Sequence, residues 1–328
     1  MPDDLCLFAL SESRSFGASV AQALGEPLSD LVERDFADGE HKTRPAVNVR
    51  GRDVFVIQSL YSDAERSVND KLCRLLFFLG ALRDAAAARV TAVVPYLCYQ
   101  RKDRKTQPRD PVTTRYLASL FESVGIDRVL AMDVHNLAAY QNAFRCRNDH
   151  LEARPLFVEH LRPHLNDAHP VVLSPDEGGM KRVNRFAEGL RTALGRDVPT
   201  AFVEKLRAGD RVTGGTLVGD VDDRVVIIID DLISTGTTIQ QAVRACDANG
   251  ARAVYAAATH GVFVGDAPEK IVHPALTGML VTNTIPPFRL DGTAASHTVT
   301  VCDAAPYFAA AIQAIHDGGS VTRLNEME

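Results

Sequence analysis

The 328-residue chain has no apolar run approaching the roughly 18 to 20 residues a membrane helix needs. Its start, Met1-Pro2-Asp3-Asp4, has no basic stretch leading into an apolar one, so no export signal is read there. An excess of basic residues is also missing. The 36 Lys and Arg are outnumbered by 42 Asp and Glu, and the net charge of -6 speaks against a general nucleic-acid binder, which must displace counterions with a basic surface. The six cysteines, Cys6, Cys73, Cys98, Cys146, Cys246 and Cys302, form no CxxC pair, and most lie in apolar segments. They are read as reduced core thiols of a cytoplasmic protein rather than as zinc ligands. With 46% hydrophobic and 24% charged residues the composition is globular, and the length suits about two domains.

Short β-branched runs alternate with longer helical patterns, the mark of parallel βαβ units in an α/β protein. Strands are expected at 5–9, 54–58, 90–95, 129–133, 171–174, 225–230, 253–258, 279–283 and 298–302. Helical periodicity is clearest over 69–84, 113–123, 178–194, 237–249 and 306–315. Several strands are apolar throughout, as strands covered on both faces must be. Two stretches share a layout of strand, polar loop, helix and strand, one over residues 53–94 and the other over 224–256. This pattern predicts two similar α/β domains, 1–155 and 156–328, divided near the polar Arg147-Asn148-Asp149-His150. Only the second copy carries acids and small residues after its strand, so a sugar-phosphate site is expected there alone.

That segment is Val225-Val226-Ile227-Ile228-Ile229-Asp230-Asp231-Leu232-Ile233-Ser234-Thr235-Gly236-Thr237-Thr238. A buried strand ends in two acids and a small-residue loop that opens a helix. Ligands of open α/β sheets sit at strand carboxyl ends, and a helix N-terminus offers backbone N–H groups to a phosphate. Gly236 permits close approach, and the hydroxyls of Ser234, Thr235, Thr237 and Thr238 can donate to phosphate oxygens. Asp230 and Asp231 can accept bonds from vicinal hydroxyls or hold a divalent cation. The segment lacks GxxxxGK[ST], so it is not a Walker loop.

Here the chain resembles the type I phosphoribosyltransferase family, whose phosphoribosyl motif has this form. Other segments resemble, within that fold, the ribose-phosphate pyrophosphokinases. Phe36-Ala37-Asp38-Gly39-Glu40 resembles a turn that in the family contacts the adenine of ATP across a subunit interface. Val93-Val94-Pro95-Tyr96-Leu97-Cys98-Tyr99-Gln100-Arg101-Lys102-Asp103-Arg104 resembles the family's ATP segment, with Lys102 where Gln is usual. Cations after a strand can neutralise a triphosphate, and Arg101 offers a planar fork of donors. Val129 to His135 resembles the opening of the family signature, a His just past a strand end and near a carboxylate. Val172 to Gly179 resembles a strand-to-helix turn whose acid, here Asp176, is a metal ligand in the family. Ala201 to Arg207 resembles the flexible catalytic loop, with Lys205 and Arg207 at its essential cations and Leu206 as a departure.

The resemblance implies an ATP-dependent ribose-phosphate diphosphokinase with Mg²⁺ as cofactor. Its catalytic residues would be Lys205, Arg207 and His135. ATP would be bound by Phe36, Asp38, Glu40, Arg101, Lys102, Asp103 and His135. Ribose 5-phosphate would be held by Asp230, Asp231, Ser234, Thr235, Gly236, Thr237 and Thr238, and the metal by His135, Asp176 and Asp133. It also implies a homo-oligomer, dimer-based and in the family's main class a hexamer, with neither nucleic acid nor membrane as partner. A catalytically silent regulatory homologue and a nucleobase phosphoribosyltransferase are the alternatives.

Overall fold

The computed structural model describes residues 4–165, 168–208 and 211–327, with side chains left aside at 205–208 and 211–215. It divides into two compact units, Met1–Glu152 with Ala305–Leu324, and Ala153–Ala304 with Asn325–Glu328. A single cut at 155 would put the returning segment with the second half, whereas it packs with the first.

The first unit runs β1 (Leu5–Ala9), α1 (Arg14–Leu24), β2 (Leu31–Asp35), β3 (His41–Pro45), β4 (Asp53–Ile57), α2 (Val68–Asp84), β5 (Arg89–Val94), α3 (Thr113–Ser123), β6 (Arg128–Met132), α4 (Leu137–Ala143) and β7 (Arg147–Leu151). Its sheet is parallel throughout, in the order β1-β4-β5-β6-β7. Every residue of β4 is buried, which is why its sequence is apolar after Asp53 instead of alternating. The strand β7 is polar because it is an edge strand, and Arg128 pairs with Asp149 there. Thus the polar stretch expected to divide the domains is instead the last strand of the first sheet.

The second unit runs α5 (Arg154–Leu165), β8 (Pro170–Ser174), α6 (Met180–Leu194), β9 (Thr200–Ala208), β10 (Arg211–Val218), β11 (Val225–Ile233), α7 (Thr237–Ala248), β12 (Ala253–Gly261), α8 (Ala267–Lys270), β13 (Leu276–Thr282) and β14 (Val299–Cys302). The sheet order is β10-β9-β8-β11-β12-β13-β14, antiparallel only between β9 and β10. The chain then returns as α9 (Ala305–Asp317) to the first unit. There Phe308 meets Phe16 edge to face at 5.5 Å, and His316 Nδ1 lies 2.8 Å from the buried Asp53 carboxylate.

All nine expected strands are present, so the α/β class with mainly parallel sheets and flanking helices is what the chain adopts. The hairpin β2–β3 and the ribbon β9–β10 escaped the apolar-run criterion. Charged residues such as Glu33, Arg34 and Asp35 of β2 carry no such run. One boundary matters for function. β11 continues past the expected end at Asp230 to Ile233, pairing with β12 along that whole length but with β8 only through Ile228. The two acids therefore lie on an overhang, paired on one side. Of the cysteines, Cys73 is exposed and Cys146 half-buried, while the other four are buried, and all six are free thiols. Burial pushes the Cys98 and Cys246 thiols up to about 12, so they are inert packing groups. Among the described residues no helix is long and apolar enough to cross a membrane.

Candidate active site

In the second unit the overhang of β11 brings Asp230 and Asp231 together. Asp231 is almost wholly buried and Asp230 is 22% exposed at its side chain. The Asp231 N–H donates to Asp230 Oδ1 at 2.9 Å, and Arg182 from the first turn of α6 reaches both carboxylates, at 3.6 and 3.5 Å. Burial first, and then the neighbouring Asp231 charge, raise the Asp230 carboxyl well above the ordinary range. Arg182 opposes this without reversing it. Two carboxyl groups so close disfavour ionising together, and their oxygens are hydrogen-bond acceptors at the overhang.

The loop after β11 is short and open. Gly236 takes φ +73°, and α7 begins after it with no side chain capping its first turn. That leaves the N–H groups of the turn pointing at the loop. A Cβ at Gly236 would stand 3.2 Å from Ile271 Cγ2, so both conformation and space call for glycine. Thr235 and Thr237 hydroxyls lie 3.3 Å apart across the turn. Val264 donates its N–H to the Ser234 carbonyl at 2.9 Å, which seats the segment leading into α8 against the loop. From α8 the Lys270 ammonium donates to Thr237 Oγ1 and to Asp266 Oδ1, both at 2.9 Å. That bond holds the Asp266 carboxyl below its usual range. Asp176, half-buried, follows β8, where Ser174 donates to the Asp176 carbonyl. A Cβ on Gly179 would fall 2.4 Å from Ser174 Oγ, so this turn too depends on glycine. Lys205 and Arg207 are on β9, opposite Gly215 and Val212 of β10, and their side chains lie outside the described residues.

In the first unit the carboxyl ends of β5 and β6 lie side by side, and their loops are stitched together. The His135 N–H donates to Gln100 Oε1 at 2.7 Å, and the Asn136 amide donates to Asp103. Asn136 also caps α4 through the Ala139 N–H. The structure thus collects Arg101, Lys102, Asp103, Asp133 and His135 at one sheet end. Arg101 and His135 are exposed. The Lys102 ammonium is engaged by Asp110 at 2.9 Å and Thr106 at 3.1 Å, and it holds Asp110 far below the usual carboxylate range. Asp133 has φ +38° and Tyr99 φ +55°, backbone strain of the kind that collects at ligand sites.

Phe36, Asp38 and Glu40 sit on the exposed tip joining β2 and β3, whose hydrogen bonds run within the turn, from Phe36 N to Glu40 O and from Glu40 N to Asp38 Oδ1. The hairpin is braced at its root, where Asp35 meets Arg66 at 2.8 Å and also Arg74. Those two guanidiniums hold the Asp35 carboxyl at about 2.

Two site residues escaped the sequence reading, Arg182 and Lys270. Arg182 lies six positions after Asp176 on a helix face and carries no motif. Lys270 is 33 positions from Thr237 and meets it only through folding. Among the described residues no three His, Cys, Asp or Glu side chains gather into a metal cluster.

Residues 5–125 match the N-terminal domain of ribose phosphate pyrophosphokinase, and residues 205–326 match the phosphoribosyl synthetase-associated domain. A ribose-phosphate pyrophosphokinase of Caldanaerobacter subterraneus is 36% identical over 323 residues, covering 98% of each chain. One from Gloeobacter violaceus is 39% identical over 284 residues, 86% of this chain and 82% of that one. The crystal structure of phosphoribosylpyrophosphate synthetase from Mycobacterium smegmatis superposes with a TM-score of 0.87 at 34% identity, covering 96% of this chain and all of that one.

Proposed function

The chain belongs to the ribose-phosphate pyrophosphokinase family, and from that premise we propose that it transfers the β,γ-diphosphoryl group of ATP to the anomeric hydroxyl of ribose 5-phosphate. The products are phosphoribosyl pyrophosphate and AMP. The observation that carries this reading is the overhanging end of β11, with its acid pair and uncapped Gly236 turn. Asp230 and Asp231 accept bonds from the sugar hydroxyls. Ser234, Thr235, Thr237 and Thr238, with the N–H groups around Gly236, hold the 5-phosphate.

The first unit supplies the nucleotide side. Arg101 offers its donor fork to the phosphates, His135 and Asp103 help seat them, and Phe36, Asp38 and Glu40 take the base. Lys102 joins only by exchanging its Asp110 partner for a phosphate oxygen. The anomeric oxygen attacks the β-phosphorus in line and loses its proton to solvent, the bond between the β-phosphorus and the α,β-bridging oxygen breaks, and AMP leaves with that oxygen. Lys205 and Arg207 are the cations assigned to the charge on the transferred group.

A magnesium ion fits the donor set. Such an ion is commonly held by one or two carboxylates together with substrate phosphates and water, which needs no cluster of protein ligands. Asp133, His135 and Asp176 are the candidate ligands. When bound, the ion neutralises phosphate charge.

The turn Phe36 to Glu40 is assigned to the ATP of a neighbouring subunit, so the active form is proposed to be a dimer-based homo-oligomer, which light scattering on the purified protein reads directly. The free cysteines accord with a reducing, cytoplasmic compartment.

Incubation with ribose 5-phosphate, ATP and Mg²⁺, followed by phosphorus NMR and nucleotide chromatography, tests the reaction. AMP with a new diphosphoester is expected. ADP would mean a single phosphoryl group moves, and ATP binding without turnover would point to a silent homologue.

A further inference from the structure

The turn 234–238 meets a dianion with neutral groups alone. Its sequence, Ser234-Thr235-Gly236-Thr237-Thr238, contains no cation. A sugar phosphate carries roughly -1.5 to -2 at pH 7, and hydroxyls and N–H groups solvate that charge without balancing it. Asp230 and Asp231, earlier on the strand that leads into the turn, add no positive charge. Among the described residues one cation reaches this turn from elsewhere in the sequence. The Lys270 ammonium touches Thr237 Oγ1 at 2.9 Å, and its side chain is 25% exposed. Its own Cβ lies 3.4 Å from where a Gly236 Cβ would be, so the residue is packed over the turn and does not trail into solvent. The segment that presents it is fixed to the loop by backbone bonds from Val262 and Phe263 to Ile233 and from Val264 to Ser234.

We propose that Lys270 is a phosphate-binding residue of the acceptor site, the charge that complements the 5-phosphate held by the 234–238 turn. The inference rests on the reading of that turn as the ribose 5-phosphate loop. An ammonium has three N–H bonds to give, and among the described residues Asp266 and Thr237 take two. The third is available to a phosphate oxygen. Lys270 also sets the polarity of Thr237. By filling a lone pair of Oγ1 it leaves the hydroxyl proton to be donated, which an anion in the turn accepts. Asp266 holds the ammonium beside the turn when no phosphate is present, at an exposed ion pair weak enough to yield. The residue thereby favours acceptors with a phosphate at this end over neutral sugars.

Three substitutions separate charge from shape: Lys270→Met, Lys270→Gln and Lys270→Arg. Loss of a charge-assisted bond should raise KM for ribose 5-phosphate about tenfold in the Met and Gln variants. KM for ATP and kcat should stay within about twofold and Lys270→Arg should recover most of the affinity, since this residue is assigned to the 5-phosphate and not to the triphosphate or the transferred group. An unchanged KM for ribose 5-phosphate overturns the proposal. So does a joint loss of kcat and both KM values, which is the signature of a damaged fold and is checked by thermal melting. Calorimetric titration with ribose 5-phosphate alone separates this from the activity. If the unaltered protein binds it without turnover and Lys270→Gln weakens that binding, Lys270 keeps its role while the diphosphokinase reading fails. Equal binding by both sinks the role of Lys270 by itself. Absence of binding by the unaltered protein sinks both.

Discussion

The strand–helix pair β4–α2 of the first unit and its counterpart β11–α7 of the second begin alike and end differently. β4 ends flush with its neighbours, Ile57 pairing with Ala9 on one side and Val93 on the other. The chain then enters buried Gln58 and Ser59 and reaches α2 through a long connection, where Ser67 and Asp70 close a capping box. The first-turn N–H groups of α2 are thus answered by its own cap. β11 instead runs five residues, Ile229 to Ile233, past its pairing with β8, and α7 starts after three intervening residues without a side-chain cap. One βαβ scaffold thus serves two ends. At β4–α2 the helix start is closed by its own side chains, whereas at β11–α7 the first-turn N–H groups carry no side-chain cap and stay open to a ligand.

Gly236→Ala should break the open end most severely. Its positive φ and the contact with Ile271 force the turn to shift, and a displacement of that kind costs about a hundredfold in kcat/KM for ribose 5-phosphate. Steady-state kinetics reads this, and a loss below threefold would show that the turn tolerates the shift.

Asp230→Asn sharpens the comparison through pH. A carboxyl whose proton is held more tightly folded than unfolded weakens folding as pH rises above about 3.9, and the cost stays at higher pH. The variant should therefore melt higher than the unaltered protein at pH 7 to 8, with the gap closing toward pH 4. Acceptor affinity should fall at least about tenfold at the same time, since an amide puts an N–H₂ donor where the carboxyl offered an oxygen to the sugar hydroxyls. Calorimetric melts across pH decide it; a lower melting temperature at pH 8 would contradict the raised carboxyl.

Ser67→Ala tests the closed end. It removes the α2 cap and should cost about 1 kcal/mol of stability, with kcat/KM unchanged. Urea unfolding and turnover are measured together, and a fall in turnover would give this helix start a part in binding.

Asp35→Asn is the smallest effect and has the opposite sign to Asp230. Held at about 2 by Arg66 and Arg74, Asp35 helps folding above about pH 4 and ceases to as pH falls through 2. Its side chain is 51% exposed, so solvent screening limits the loss at pH 7 to under about 1 kcal/mol. Melting at pH 7 and pH 2 should show the difference only at the higher value.

Much of this was legible in the residues. Strands buried on both faces announce themselves as apolar runs, because nothing else can fill such positions. The acid pair, the Thr-Gly turn and the basic segment Arg101 to Arg104 are contiguous in sequence, so their chemistry can be read without folding the chain. The hairpin carrying Phe36 was not visible as strands, since exposed strands such as Glu33-Arg34-Asp35 lack an apolar signature. The returning helix α9 was read over 306–315, but its periodicity does not say which unit it covers.

What the amino-acid sequence determined by itself is what local spacing encodes: the α/β alternation, the repeated βαβ layout, the phosphate turn and the family it points to. What only the tertiary structure decided depends on residues distant in the chain. Sheet register left β11 overhanging β8 and raised the Asp230 carboxyl by burial beside Asp231. The same folding set Arg182 on the acid pair and Lys270 on Thr237, and drew Lys102 to Asp110. Burial, pairing and charge are properties of neighbours in space, and periodicity along a chain does not say which neighbours those will be.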